Sequence, residues 1–571
     1  MPYNMMLLDD LRASMGIRLP NSVVIFDEGH NLVESVNQLF SAETTHDQLE
    51  LCLRSVEEYS RRFQSILTGK NYYYVNVLLS VIKGFRNHLK ASEEKGAHEY
   101  PINGQCSDTS NKTKKTPSAE TPGPDHNSTV IRGANDFLFQ CGLDNVNLFK
   151  LRRHIAATNL VRKVGGFADH QAKKAAIVAA EALKSSVKIN IRVKISHNSS
   201  GSGSMGCASA GASGGSADCG PPSAPSGNSI SALRSILSLI TCLTNEDADG
   251  RIVVSKASGS LGQERAANSR KPAMSIRFVL LNPSVHFQKI VDQARSVLVL
   301  GGTLQPFAYM KSFLFPRVPA SDIRLFSCGH VVHKTSVLAV VAGEGPSGAS
   351  LEFTHDTRMK PTLLSDLHSS LKCITGVVPN GIVVFFSSYQ YMEAVIAKWR
   401  ASRLLEDICP GRPLFTEPHL AADAEVVWGR YSKSAVLEGA MLFCVMGGKL
   451  SEGINFSDKL CRCVVVVGLP YPDGRDAVLQ EKMKFANRIE GCEGAGKRLY
   501  EAMCMRTVNQ CIGRSIRHIN DYATIVLFDN RYSQPRVTAQ LPHWLRDDIV
   551  VKTKFSKIIL NLKEFFAERK T

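Results

Sequence analysis

The run Val23-Val24-Ile25-Phe26, followed at once by Asp27-Glu28-Gly29-His30, constrains this chain more than any other stretch. A short β-branched run of this kind reads as a buried parallel strand. Two adjacent carboxylates at its C-terminal end then stand where open α/β sheets bind ligands. In that setting Asp27 would hold a Mg²⁺ ion, and Glu28 would orient and deprotonate an attacking water. The competing reading is an acid pair capping a helix after an ordinary strand. The tetrapeptide alone does not choose between them.

The charge balance narrows the partners. There are 68 Lys and Arg against 52 Asp and Glu, a net charge of +16, and the pI is near 9.2. Such a balance favours a polyanion, nucleic acid above all, with an anionic membrane surface as the weaker option. No apolar run approaches the ~18–20 residues of a spanning helix. The N-terminus has neither the basic region nor the apolar core of a secretory signal. Fifteen cysteines are scattered without a C-x-x-C pair and read as reduced, mostly buried thiols rather than metal ligands.

At 571 residues the chain should hold several domains, at roughly 100–200 residues each. Residues 46–92 show helical spacing of apolar positions, among them Leu49, Val56, Phe63, Val75, Leu79, Ile82 and Phe85. Residues 91–133 are polar without apolar period, and 196–228 are dominated by Gly, Ser, Ala and Pro. Both stretches bury too little to offset their ordering entropy and are expected to be disordered. An amphipathic helix is predicted around 169–186. From 277 onward short apolar runs alternate with helical stretches: Phe278–Leu281, Ser296–Leu300, Val337–Val341, Gly381–Phe386, Ala440–Val445, Cys463–Val467 and Thr524–Phe528. That alternation predicts βαβ units and a parallel sheet. The basic amphipathic stretch 552–570 reads as a packed terminal helix.

Three further segments lie near predicted strand ends. Gly301-Gly302-Thr303 follows Val297–Leu300 and offers a tight turn with a hydroxyl. Gly447-Gly448-Lys449-Leu450-Ser451-Glu452-Gly453 follows Met441–Met446, and its backbone could approach phosphates, or simply join strand to helix. In Gln510-Cys511-Ile512-Gly513-Arg514-Ser515-Ile516-Arg517 the two arginines are three apart, which would put them on one helix face as a fork for phosphate oxygens. No acid follows them until Asp521.

Their order resembles motifs II, III, V and VI of superfamily 2 helicases. Gly381–Phe386 with Ser387, Ser388 and Tyr389 fits motif IV between III and V. Position 27 to position 303 is a gap of 276 residues. Such a gap is similar to that of the XPD-type iron–sulfur DNA helicases, which carry an arch domain there. GGKLSEGINF and QCIGRSIRH resemble that group, and NPSVHF, FSCGHV, FFSSYQY and NLFKLRR resemble its Chl-type, sister-chromatid-cohesion branch. The resemblance implies an α/β fold: two RecA-like parallel-sheet motor domains, the first incomplete, and a mainly helical arch insertion. Residues 1–46 and 277–315 would belong to motor domain 1, 47–276 to the arch, and 316–571 to motor domain 2.

The resemblance also implies roles. Asp27 would coordinate Mg²⁺, Glu28 act as catalytic base, and His30 couple the nucleotide to the second motor domain. Gln510, Arg514 and Arg517 would face the γ-phosphate, the arginines as fingers on transition-state charge. Gly448, Ser451, Glu452 and Gly453 would serve nucleotide and DNA. Thr303, Ser387 and Tyr389 would link hydrolysis to DNA movement. Gly29 stands where the family has Ala, a change expected to loosen the turn by ~0.5–1 kcal/mol. The implied activity is ATP hydrolysis coupled to 5′-to-3′ translocation on single-stranded DNA and to duplex unwinding, in repair, replication and cohesion. ATP, Mg²⁺, single-stranded and forked DNA, replication or cohesion proteins, a nuclear location and a monomeric state come with it. No G-x-x-x-x-G-K-[ST] loop precedes Asp27. Gly491–Arg498 mimics one but has Arg498 at the hydroxyl position and is set aside as a loop between helices. The ligands of the family's [4Fe-4S] cluster are likewise expected upstream of Asp27. The sequence therefore reads as a helicase starting late, with negligible ATPase activity on its own. The alternative is a non-catalytic DNA- or protein-binding paralogue without the ATPase loop.

Overall fold

A computed structural model describes residues 2–95, 129–171, 173–174, 177, 229–256, 274–305, 307–450, 454, 456–546, 548–551 and 554–569. Two compact units emerge: Met1–Val36 with Asn282–Thr571, and Asn37–Leu281. The named strands of the described residues are β1 (Val23–Phe26), β2 (Ala42–Thr45), β3 (Val130–Arg132), β4 (Gly250–Lys256), β5 (Met274–Leu280) and β6 (Ser296–Val299), followed by β7 (Val337–Ala342), β8 (Gly381–Phe386), β9 (Leu414–Thr416), β10 (Ala440–Val445), β11 (Cys463–Val467) and β12 (Ala523–Phe528).

In the first unit β1 and β6 pair in parallel, with Phe26 opposite Val299. One face of this pair is covered: Val24 and Phe26 are buried, and Phe26 packs on Phe287 with ring centroids 5.5 Å apart. The other face shows Val23, Ile25, Leu298 and Leu300 to solvent, whereas the unbroken apolar run reads as a strand buried on both faces.

The remaining strands of this unit form a six-stranded sheet in the order β7-β12-β11-β8-β10-β9, every pair parallel. The inner strands β8, β10, β11 and β12 are buried at every residue. That is why their sequences are unbroken apolar runs rather than alternating ones. One face packs on helices Pro361–Thr375, Tyr389–Ala401 and Phe555–Ala567. The opposite face packs on Ala421–Leu437 and Ala495–Ile512. The result is a doubly wound α/β layer structure. The terminal basic helix is a core element, with Phe555, Ile558, Leu562, Phe565 and Phe566 buried.

The second unit, expected to be mainly helical, also holds a sheet. Its helices, chief among them His46–Phe63, Gly69–Lys95, Leu148–Thr158 and Ser229–Cys242, accompany an antiparallel sheet in the order β2-β5-β4-β3. Phe278–Leu281, read from the sequence as part of the parallel series, belongs mostly to β5 and pairs antiparallel with β2 and β4. An apolar run buried on both faces looks alike in either setting, so its pattern could not distinguish them. The unit also begins before the sequence-placed boundary at 47 and ends after that at 276, because β2 and β5 bond to each other. Within 91–133, the helix runs on to Lys95 and Val130–Arg132 forms a strand on β4, so those parts are ordered. Residues 96–128 and 196–228, also expected to be disordered, lie outside the described residues, as does most of the helix predicted at 169–186.

Candidate active site

Strand β1 delivers the acidic tetrapeptide to an open sheet edge. The Leu300 amide donates to the Phe26 carbonyl at 2.8 Å, and the Gly29 amide returns a bond to the Leu300 carbonyl at 2.7 Å. Between these ties the chain turns sharply, with Glu28 in the left-handed region at φ +50°. For a residue with a Cβ this costs on the order of 1–2 kcal/mol. Gly29 is needed for a different reason from the one its sequence position suggests. A Cβ there would collide with the Val299 side chain, so the missing methyl lets the turn lie flat on β6 rather than loosening it.

Both carboxylates are exposed. Asp27 Oδ1 accepts the Glu28 amide at 2.9 Å, and the Asp27 carbonyl accepts the Tyr3 hydroxyl. Burial, then the charges of Glu28 and Asp27, raise the Tyr3 hydroxyl pKa, which places Tyr3 beside the acid pair. Its ring stands edge-on to Phe26 at 5.8 Å. Nothing in the type or spacing of Tyr3 marks it in the sequence as a member of this site.

His30 is buried beneath the pair. Its Nδ1 lies 3.2 Å from Glu28 Oε2 and 3.5 Å from Thr303 Oγ1. Burial foremost, with the cations Arg506 and Arg514, lowers its pKa against the opposing pull of Glu28, so the neutral ring is favoured. Arg506 donates to the His30 carbonyl at 3.2 Å. Thr303 in turn sits beside Gly513, where an added Cβ would meet its methyl at 3.7 Å. His30 and Thr303 thus bridge the β1–β6 end to the segment that carries the two arginines.

That segment is not the helix face the spacing suggested. The helix Ala495–Ile512 stops before Arg514, and Gln510 lies half-buried in its last turn. The Asp521 carboxylate takes the Arg517 amide at 3.3 Å and the Tyr522 amide at 2.9 Å, and the Ser515 hydroxyl bonds the Ile512 carbonyl at 2.7 Å. These local bonds offer the backbone an alternative to another helical turn. Asp521 does not neutralise the arginine fork, because it is buried against Arg462 at 2.9 Å. Burial and the Arg514 charge lower the Arg517 pKa, opposed by Glu28. The acid pair and the arginines therefore lie within electrostatic reach of one another, although they come from different sheets.

A second centre forms around Glu417, which sequence reading missed. This buried carboxylate accepts the Tyr389 hydroxyl at 2.7 Å, the Val445 amide at 2.8 Å and the Leu450 amide at 3.0 Å. It fixes the Gly447–Leu450 turn, where Gly447 has φ +72° and a Cβ on Gly448 would strike Glu417 itself. Burial, followed by Glu417, raises the Tyr389 pKa. Tyr389 thus spends its hydroxyl on this anchor, while Ser387 lies half-buried just past β8. Ser451, Glu452 and Gly453 lie outside the described residues.

Other candidates separate from this site. Gly491–Gly494 connects helices Ala477–Glu490 and Ala495–Ile512, and Arg498 pairs with Glu490 at 2.6 Å, as expected of an inter-helix loop. The described cysteines are free and mostly buried, with Cys52, Cys242 and Cys463 each pushed up to about 12 by burial. They supply no ligand set for an iron–sulfur cluster among the described residues. The one metal-like group there, Asp458, His518 and Asp521, has its buried acid committed to Arg462. No described helix is long and apolar enough to cross a membrane.

Comparison with known proteins bears on this arrangement. The "DEAD_2" family description matches residues 1–49, and "Helicase C-terminal domain" matches 371–548. ATP-dependent DNA helicase DDX11 of Mus musculus is 34% identical over 594 aligned residues, covering 100% of this chain. The chain is similar along its whole length to the DDX11 and chl1 helicases. The Danio rerio DDX11 is 33% identical and the chl1 helicase of Aspergillus clavatus 29% identical, each again over 100% of the chain. The chain spans 59% of the mouse DDX11 helicase and 61% of the zebrafish one. Among solved structures, that of S. tokodaii Xpd4 aligns over 96% of this chain and 81% of its own, at 15% identity and a TM-score of 0.45.

Proposed function

We propose that this chain belongs to an ATP-dependent DNA helicase and supplies both facing walls of its hydrolytic site. One observation carries the reading: Asp27, Glu28 and His30 on one sheet converge with Arg514 and Arg517 from the other, through Thr303 and Gly513. Exposed carboxylates opposite guanidiniums suit a divalent cation and a polyphosphate, which need opposite charges side by side. Asp27 would hold the Mg²⁺, which supplies charge neutralisation on the phosphate oxygens when bound. Glu28, exposed and beside Asp27, acts as the base that takes a proton from water. Arg514 and Arg517 bind phosphate oxygens and offset charge that grows in the transition state. Neutral His30 relays the position of Glu28 to Thr303 and on to the arginine turn.

The names of the relatives support DNA as the track. The net charge of +16 suits it. Within the proposal fall 5′-to-3′ translocation, forked substrates, a nuclear location, and work with replication or cohesion proteins in repair and sister-chromatid cohesion. The test is single-stranded-DNA-stimulated ATP hydrolysis by the protein at its full cellular length. Glu28→Gln is expected to lower kcat at least a hundredfold and leave DNA binding intact. Hydrolysis unaffected by that change would overturn the assignment.

A further inference from the structure

We infer that the inserted unit carries its own single-stranded nucleic-acid surface, built where the helices His46–Phe63 and Gly69–Lys95 meet Leu148–Thr158. The sequence is acid-free from 59 to 92 and again from 145 to 168, while these stretches hold six and five Lys or Arg residues. Three of those cations face outward acids of the first helix: Lys83 pairs with Glu57 at 2.9 Å, and Arg86 and Lys90 approach Glu50 at 3.9 and 3.3 Å. Arg152 bonds Thr244. The others, at positions 61, 62, 70, 150, 153, 162 and 163, have no acidic partner among the described residues, and each is exposed.

The packing gathers them. Tyr74 stacks on His154 at 4.1 Å and 18°, tying the start of the second helix to Leu148–Thr158. Phe167 meets Tyr59 at 6.0 Å and Phe63 at 5.4 Å, tying the end of the first helix to the chain that follows Leu148–Thr158. Residues 59–74 of the first acid-free stretch therefore lie beside residues 154–167 of the second. The Lys70 charge reaches His154 there, adding to burial in lowering its pKa.

Aromatic rings lie among these cations. Tyr73 is 62% exposed and Phe149 51% exposed. Tyr73 stands edge-on to Tyr74 at 5.2 Å, continuing the stack outward from His154. Phe149 and Arg153 are four apart in one helix and share its outer face. A solvated charged face would interleave acids, and a purely electrostatic one would not need open rings. Cations flanking exposed rings match a strand whose phosphates bind the first and whose bases stack on the second. The surface does not depend on the hydrolytic site, so failure of either reading leaves the other standing.

The experiment is fluorescence anisotropy of a labelled oligothymidylate of about 30 nucleotides with the full chain, across 50 to 200 mM salt. The triple variant Lys70→Glu, Lys150→Glu, Arg153→Glu should weaken binding at least about tenfold and reduce the log–log salt slope by about 2. Tyr73→Ala with Phe149→Ala should weaken it by about fivefold or more with the slope retained. A photo-crosslinker placed at Phe149 in the otherwise unaltered chain should capture the oligonucleotide, which keeps the test valid should a charge variant misfold. Absence of that crosslink under saturating DNA overturns the proposal. So does a triple variant that binds DNA like the parent but loses binding to phosphatidylserine vesicles or to polyglutamate.

Discussion

Glu417 takes no part in bond making, yet a tyrosine hydroxyl and two backbone amides converge on its buried carboxylate. An isosteric amide would turn donors toward donors. Glu417→Gln should therefore destabilise the six-stranded layer by about 1–3 kcal/mol. Urea unfolding of that unit would show it as a lower midpoint with unchanged slope, and DNA-stimulated ATPase should fall with it because the Gly447–Leu450 turn loses its anchor. His286 gives a pH dependence at the same scale. Burial, then Lys289, hold its pKa down to about 4 against the pull of Asp9. The unfolded chain takes up a proton near pH 6.5. The unfolded state thus binds more protons in this window, and the stability His286 contributes is complete above about pH 6.5 and lost as pH falls from there toward 4. Unfolding midpoints at pH 7.5 and 5 should differ less in His286→Gln than in the parent; an equal loss in both would contradict this.

Among the elements, the turn after Ile512 shows where local bonding overrides helical spacing. Asp521 holds it through the Arg517 amide and is itself buried against Arg462, whose guanidinium lies 3.8 Å over the Tyr522 ring. Removing the acid leaves a buried cation without its partner, so Asp521→Ala should cost about 3–5 kcal/mol. It should also lower kcat more than DNA affinity, since the arginine turn is mis-set while the DNA-binding surface is untouched; equal losses would contradict it. The strands were legible beforehand because β8, β10, β11 and β12 are buried on both faces and so carry continuous apolar runs. β5 carries the same signature for an antiparallel partner, and nothing in its residues tells the two apart. β3 is three residues long in a polar stretch, too short for any period to register. The arginine fork failed as a helix because its fate lies with Asp521, whose long-range partner Arg462 is invisible to spacing.

For the molecule as a whole, the candidate site was legible as a set of residues but not as a set of contacts. Asp27, Glu28, His30, Thr303, Arg514 and Arg517 announce themselves by type and order, and the structure brings them within reach. Tyr3, Arg506 and Glu417 do not, because their roles exist only once distant segments fold together. What unites the molecule's chemistry is the claim that the acid pair and the arginine pair act as one catalytic unit. The direct test is a double-mutant cycle on kcat for DNA-stimulated ATP hydrolysis by the protein at its full cellular length. Glu28→Gln alone and Arg514→Ala with Arg517→Ala should each lower kcat by about a hundredfold or more. Combined, they should lower it little further, as expected of groups that work as a unit. Losses that multiply in the combined variant would contradict the account.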